Sequence, residues 1–290
     1  MRHWRIGEVR VTKSGEHERT GGRGGSLPQA TREGVLPYRW MAPHFMDESG
    51  RLKASIHALV VETPSRRIIV DTCIGNDKQG RAVPSWNGLQ GPFLRDLEAA
   101  GFHPESIDTV LCTHLHVDHV GWNTRLVEGR WVPTFRRARY LMGRIEFTHW
   151  QHQQERAEQR LVFADSVQPV LDAGLVDLIE TEHRICPEVS LVPTLGHTPG
   201  HVSVRISSLG ETALITGDCL HHPVQMARPD WSSKVDFDPV QAISTRRDLF
   251  TALAETPTLM IGTHFAGPSA GLVRRDGEAF RLVVPEQLEA

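Results

Sequence analysis

Apolar residues in this chain fall into short runs cut by glycine, proline and polar clusters, a rhythm that predicts strands alternating with a few helices. Trp4 to Lys13 reads as a first strand, and the polar, glycine-rich stretch from Ser14 to Ser26 reads as a mobile loop. Ala54–Thr63 and Arg67–Thr72 form a hairpin joined by a Pro-Ser-Arg turn, and Phe93–Ala100 is a short amphipathic helix stopped by Gly101. Ile107–Thr113 is an apolar strand. Arg144 to Leu171 has helical spacing, with Ile145, Phe147 and Trp150 on its first piece and Leu161, Val162, Val167, Val170 and Leu171 on its second. Strands return at Ser190–Leu195, His201–Ser207, Thr212–Thr216 and Thr258–Ile261, with a helix over Val240–Leu253 whose apolar positions are 240, 243, 249, 250 and 253. A hairpin of Gly271–Arg275 and Ala279–Val284 turns at Asp276-Gly277. The segment Leu36–Asp47, rich in Tyr38, Trp40, Phe45 and Met46, is expected to cover the core more than to wall a pocket.

Composition narrows the class. With 290 residues and 39% hydrophobic content, the chain can bury a sizeable core, and we read residues 1–290 as one large domain. A net charge of -3 gives no general affinity for polyanions. The arginine-rich pieces Phe135–Arg139 and Val273–Arg275 lack interleaved aromatics, so they read as solvated faces and no nucleic acid is expected as partner. No apolar run suits a signal peptide or a membrane span, which points to a soluble, cytoplasmic protein acting on a small molecule; a homodimer is left open. Cys73, Cys112, Cys186 and Cys219 lie far apart and are expected to be buried free thiols.

The chemistry sits at the ends of the apolar runs. Thr113-His-Leu-His-Val-Asp-His119 crowds three imidazoles and a carboxylate into six residues. In extended backbone His114 and His116 share a face and can share an ion, while a turn at Val117-Asp-His frees Asp118 and His119 to reach a second one. Three more runs finish on potential ligands, at His197, Asp218 and His264. Together these residues supply enough donors for two ions with one carboxylate left to bridge, and imidazole and carboxylate without thiolate favour zinc or a similar first-row metal.

These motifs, together with Gly196-His-Thr-Pro-Gly-His201, Thr216-Gly-Asp218 and Gly262-Thr-His264 in that order, resemble those of the metallo-β-lactamase superfamily over roughly Ala54 to Val284. The resemblance implies an α/β fold, an αββα sandwich of two mixed sheets packed face to face with helices outside. It also implies that His114, His116 and His197 hold one divalent ion and Asp118, His119 and His264 another. Asp218 would bridge them, and Asp71 and His201 would support ligands from behind. With aspartate at 218 where the best-known zinc β-lactamases carry a ligand cysteine, and with only 66 residues between His197 and His264, the chain resembles the branch of N-acyl homoserine lactonases and methyl parathion hydrolase, and no appended domain is expected.

The expected activity is hydrolysis of a carboxylic ester or lactone by a hydroxide shared between two metal ions, with zinc favoured and Asp118 carrying the proton to the leaving group. A phosphotriester hydrolase on the same metal pair and an iron-dependent oxidoreductase are the alternatives. His221 stands where lactonases of that branch carry a tyrosine, so a catalytic role is expected of it, with His222 as its rival. Trp122 and Phe265, and beyond them Trp86, Phe93, Met226 and Trp231, are candidate pocket walls.

Overall fold

The computed structural model describes residues 2–21, 26–153 and 155–286. In chain order the first sheet takes β1 (His3–Ile6), β2 (Val9–Thr20), β3 (Lys53–Glu62), β4 (Arg67–Val70) and β5 (Thr109–Cys112). A separate hairpin of β6 (Thr124–Val127) and β7 (Arg130–Pro133) intervenes before β8 (Arg139–Gly143) and β9 (Val176–Ile179) complete that sheet. The second sheet contains β10 (Arg184–Cys186), β11 (Val189–Pro193), β12 (Val202–Ser208), β13 (Glu211–Ile215), β14 (Leu259–Ile261), β15 (Ala270–Asp276) and β16 (Ala279–Val283). Both sheets are mixed: β4, β5, β8 and β9 run parallel, as do β13 and β14, amid antiparallel neighbours. The connections carry α1 (Arg32–Val35), α2 (Phe93–Ala99), α3 (Arg144–His152), α4 (Ala157–Val162), α5 (Gln168–Asp172), α6 (Val224–Ala227) and α7 (Pro239–Leu253), with a π turn at Phe163–Val167.

The layering follows from strand alternation. Leu59 and Val61 of β3, Leu111 of β5 and Leu141 of β8 point inward and pack on Val204 and Ile206 of β12 and Ile215 of β13. Their neighbours Ala58, Val60, Val110, Cys112, Tyr140 and Met142 point outward, beneath Phe93 and Leu97 of α2 and Phe147 and Trp150 of α3. Outside the second sheet, Met260, Val273, Phe280 and Leu282 meet Phe250 of α7, Leu220 and Met226. The result is the αββα order. Because β3, β5 and β8 are buried on both faces, they carry short continuous apolar runs at Ala58–Val61, Val110–Cys112 and Tyr140–Met142. No helix among the described residues is long and apolar enough to cross a membrane. All four cysteines are free and buried.

Three expectations need correction. Trp4–Lys13 is two strands, since β1 turns back at Gly7-Glu8 onto β2. Ser14–Thr20 is strand, not loop: β2 continues along β3 from Ser14 opposite Ala58 to Thr20 opposite Lys53, past a bulge between Gly15 and His17. Its residues are polar because this half of the strand leaves the core and runs over a cavity that His17 and Arg19 line. Gly22–Gly25 of the same stretch lie outside the described residues. In α7 the buried face is Ala242, Arg246 and Phe250, while Val240 is 79% exposed. Arg246 takes a core position because its guanidinium donates to the carbonyls of Cys219 and Trp231, 2.9 and 3.0 Å away. Leu36–Asp47 packs as expected, with Met41, Phe45 and Met46 in the outer core.

Candidate metal centre

The C-terminal ends of β4, β5, β11, β13 and β14 converge, which is where sheet-based folds present side chains on loops held by a rigid frame. The first sheet delivers Asp71 and the loop His114–His119, and the second delivers His197, Asp218 and His264. Potential ligand atoms of His114, His116 and His197 lie within 4.8 Å of one another, as do those of His114, His119 and Asp218 and those of Asp118, His119 and His264. In the first group the three nitrogens form a triangle with sides of 3.0, 3.2 and 2.9 Å. Neighbouring ligands of a tetrahedral zinc stand roughly 3.3 Å apart, so the triangle is close to one face of such a site. Asp218 stands between the groups, with Oδ2 3.1 Å from His264 Nε2 and 3.6 Å from His197 Nε2, and Oδ1 3.4 Å from His119 Nε2. Asp118 reaches His119 at 3.7 Å and His264 at 3.6 Å.

Proton positions follow from what each ring does on its outer side. His197 Nδ1 donates to Asp236 at 2.9 Å, His119 Nδ1 to Asp71 at 2.9 Å, and His264 Nδ1 to the carbonyl of Ser55 at 3.0 Å. His114 Nδ1 donates to Thr113 Oγ1, 3.1 Å away, whose own proton goes to Asp71. In its neutral form each of these rings therefore turns the lone pair of Nε2 inward. Bare nitrogens of His114 and His197 face each other across 3.2 Å, His264 Nε2 faces a carboxylate oxygen, and His119 Nε2 and Asp218 Oδ1 have no hydrogen-bond partner. Acceptors packed against acceptors in a buried site are costly unless a cation sits among them. The donor set fits divalent metal.

Electrostatics divide the cluster. Burial lowers the pKa of His114 and His197 well below the ordinary value and that of His116 to about 4, so these rings stay neutral and keep their lone pairs. Burial also acts against charge on His119 and His264, but carboxylates led by Asp218 outweigh it and raise both, so these two rings draw a cation to their inward nitrogens, a proton where no metal is bound. Conversely, burial would raise Asp218, and the surrounding His264, His119 and His221 rings hold it well below the usual carboxylate range.

The supporting residues act in different ways. Asp71 binds His119 directly and accepts from the Thr113 backbone at 2.8 Å. His201 touches the carboxylate's backbone instead: its Nδ1 donates to the Thr194 carbonyl at 3.0 Å and its Nε2 accepts from Asp218 N–H at 2.7 Å. Gly217, at φ +53°, permits that contact, since a Cβ there would lie 2.5 Å from His201 Nε2.

A cavity of about 340 Å³ opens over the cluster, floored by His116, Asp118, Asp218, His221 and His264 and walled by Ile56, Val83, Trp86 and Val235. A second, of about 570 Å³, includes Arg32, Arg51 and Lys234 and shares Arg19, Ala54 and His221 with the first. His221 turns toward the metal cluster, with Nε2 3.4 Å from Asp218 Oδ2 and neither ring nitrogen hydrogen-bonded. His222 turns away, its Nε2 2.9 Å from the Phe45 carbonyl and its Nδ1 accepting from Val224. Trp122 and Phe265 do not line the metal cavity. Trp122 stacks on Phe93 and donates to Glu16 at 2.7 Å, and Phe265 packs edge-on against Phe45 in the outer core. Phe93, Met226 and Trp231 are likewise core residues, which leaves Trp86 as the pocket wall among the aromatics considered.

Sequence reasoning missed Asp236, which holds His197, and the cavity residues His17, Arg19 and Val235. Asp236 lies in a polar loop without periodicity or motif, and nothing in its spacing marked it.

The profile of the metallo-beta-lactamase superfamily matches residues 53–264. An N-acyl homoserine lactonase of a Bacillus species is 26% identical over 169 residues, which is 54% of this chain and 60% of that relative. The match thus spans about three fifths of the relative's length. Among solved structures, the hydrolase AbOPH of the beta lactamase superfamily superposes with a TM-score of 0.79 at 22% identity, over 98% of this chain and 97% of the other. AidC, a dizinc quorum-quenching lactonase solved with the product N-hexnoyl-L-homoserine, superposes at 0.76 with 20% identity, over the same shares of 98% and 97%.

Proposed function

Since the chain belongs to the metallo-β-lactamase superfamily, we propose that this metallo-hydrolase works with two divalent cations, zinc by preference, and opens a carboxylic ester or lactone. The observation that carries the reading is the ring of imidazole nitrogens and carboxylate oxygens turned inward around Asp218. His114, His116 and His197 would hold one ion, Asp118, His119 and His264 the other, with Asp218 between. Bound there, the pair would supply a nucleophile at neutral pH and polarise the substrate's carbonyl oxygen.

The remaining work belongs to the chain. Asp118, which lines the cavity, would carry a proton from nucleophile to leaving alkoxide. His221 is kept neutral by burial, which lowers its pKa. Having no other partner, its N–H is free to donate to the leaving oxygen. Ile56, Val83, Trp86 and Val235 give the acyl side an apolar wall, and a cavity of about 340 Å³ suits a small molecule. The ester or lactone assignment draws on the relative named N-acyl homoserine lactonase.

A panel of lactones, aryl esters and phosphotriesters of similar size, assayed with the zinc-loaded protein, tests the reading. Lactones or carboxylic esters should give the highest kcat/KM, lost on chelation. Turnover confined to phosphotriesters, or hydrolysis indifferent to chelation, would overturn it.

A further inference from the structure

Glu146 is buried, at 1% exposure, on the first turn of α3, and it belongs to none of the ligand groups. Its carboxylate is nonetheless joined to two ligand-bearing loops at once. Oε1 accepts from the backbone N–H of Leu115, the residue between His114 and His116, at 3.0 Å. Oε2 accepts from the backbone N–H of Gly200, three residues after His197, also at 3.0 Å. Oε1 further accepts from the Trp150 indole at 2.5 Å, and the Trp150 ring packs edge-on against His116 with centroids 5.2 Å apart. The approach is close: a Cβ on Gly200 would lie 2.4 Å from the Glu146 backbone nitrogen, so only glycine fits there.

The loop of the first sheet carries His114 and His116, whereas His197 comes from the second. Their nitrogens meet within about 3 Å, and beside Glu146 the two loops are joined by the Val202 N–H donating to the Thr113 carbonyl at 3.1 Å. We propose that Glu146 is the positioning residue that fixes this spacing, clamping both loops so that the His114, His116 and His197 position is preformed. At the other position, built on Asp118, His119 and His264, the rings are oriented by Asp71, which also backs His114 through Thr113, and by the Ser55 carbonyl, and Glu146 bonds none of these, so its loss should bear mainly on the first position. Three N–H groups converge on the carboxylate, so Glu146→Gln turns one amide N–H₂ against a donor without changing size.

The inference rests on the two-ion reading, and competition titration with a chromophoric chelator tests it. Zinc binding by the parent is compared with His116→Ala and His264→Ala, which identify the affinity step of each position. Glu146→Gln should weaken the step that His116→Ala removes by about 10- to 100-fold and leave the other within threefold. Trp150→Phe, which removes one donor and keeps the clamp, should weaken the same step by only a few-fold, and it covers the case of a Glu146→Gln chain that does not fold. Both variants retaining parental constants, or both steps weakening equally, would overturn the inference. A parent that binds no zinc would remove the two-ion reading as well, and is read from its own titration.

Discussion

Two buried polar clusters in this chain close their hydrogen bonds in opposite ways. Around Asp165 on the π turn, Lys78 donates to Thr124 Oγ1 at 2.7 Å and to the Asp165 carbonyl at 3.0 Å and sits 3.6 Å over the Trp131 ring, while Arg81 Nη2 donates to both carboxylate oxygens at 2.9 and 2.8 Å. Its cations are the protein's own. At the metal cluster every outward ring N–H that is bonded goes to an oxygen, and what faces inside is the second nitrogen of each ring and the carboxylates, with no lysine or arginine among them. A cluster that holds its own lysine and arginine is a clasp, whereas one built of imidazoles and carboxylates alone is a receptacle for a cation. The clasp has a job near the receptacle: it ties the loop that carries Val83 and Trp86, walls of the metal cavity, to the π turn.

The sharpest way to break this contrast is to remove the shared carboxylate. Asp218→Ala should abolish hydrolysis and reduce bound metal from about two ions to one or fewer, as elemental analysis would report. Retention of two ions would mean that Asp218 is not between them. Asp165→Asn should do the reverse, destabilising the fold by about 3 kcal/mol in denaturant melts because Arg81 loses its carboxylate, with two ions still bound. Next comes His221→Phe, expected to cost on the order of a hundredfold in kcat with metal content intact, and His221→Tyr should recover much of that loss on lactones. A His221→Phe enzyme within twofold of the parent would take the ring out of the reaction.

The smallest effect concerns Lys78, whose pKa is pushed down to about 7 by burial, with Asp165 opposing. Unfolded, the amine titrates near 10.5, so between about pH 7 and pH 10.5 the unfolded chain binds a proton that the folded chain releases. This contribution to stability is therefore greatest above pH 10.5 and falls as pH drops toward 7. The parent should gain on Lys78→Met as pH rises from about 7 to about 9, read as the difference between paired melts. A difference flat in pH would place the Lys78 pKa near its ordinary value.

The sequence made the local part of this centre legible and hid the part made by folding. His114 to His119 announces itself because the spacing is short, and the ends of β11, β13 and β14 stand out because glycine-bounded apolar runs stop on polar residues. The αββα layering was readable from the same runs through the family resemblance. Asp236 and Glu146 were invisible because they work only through tertiary contacts, Asp236 39 residues from His197 and Glu146 31 residues from Leu115 and 54 from Gly200. Polarity misled at β2, whose second half covers a cavity, and at Arg246, which is buried because two loop carbonyls need its donors. Aromatic content misled at Trp122 and Phe265, where proximity to a motif reflected core packing.

The claim that the inward-facing cluster is completed by cations is tested most directly by the thermal melt of one preparation, zinc-loaded and then stripped, with the ions counted in both states. Four separate chain segments converge there, so binding to the folded chain alone must stabilise it. The account predicts about two ions per chain in the loaded state and a melting temperature several degrees lower once they are removed. Superimposable melts in which the loaded sample demonstrably holds two ions that the stripped sample lacks would contradict it.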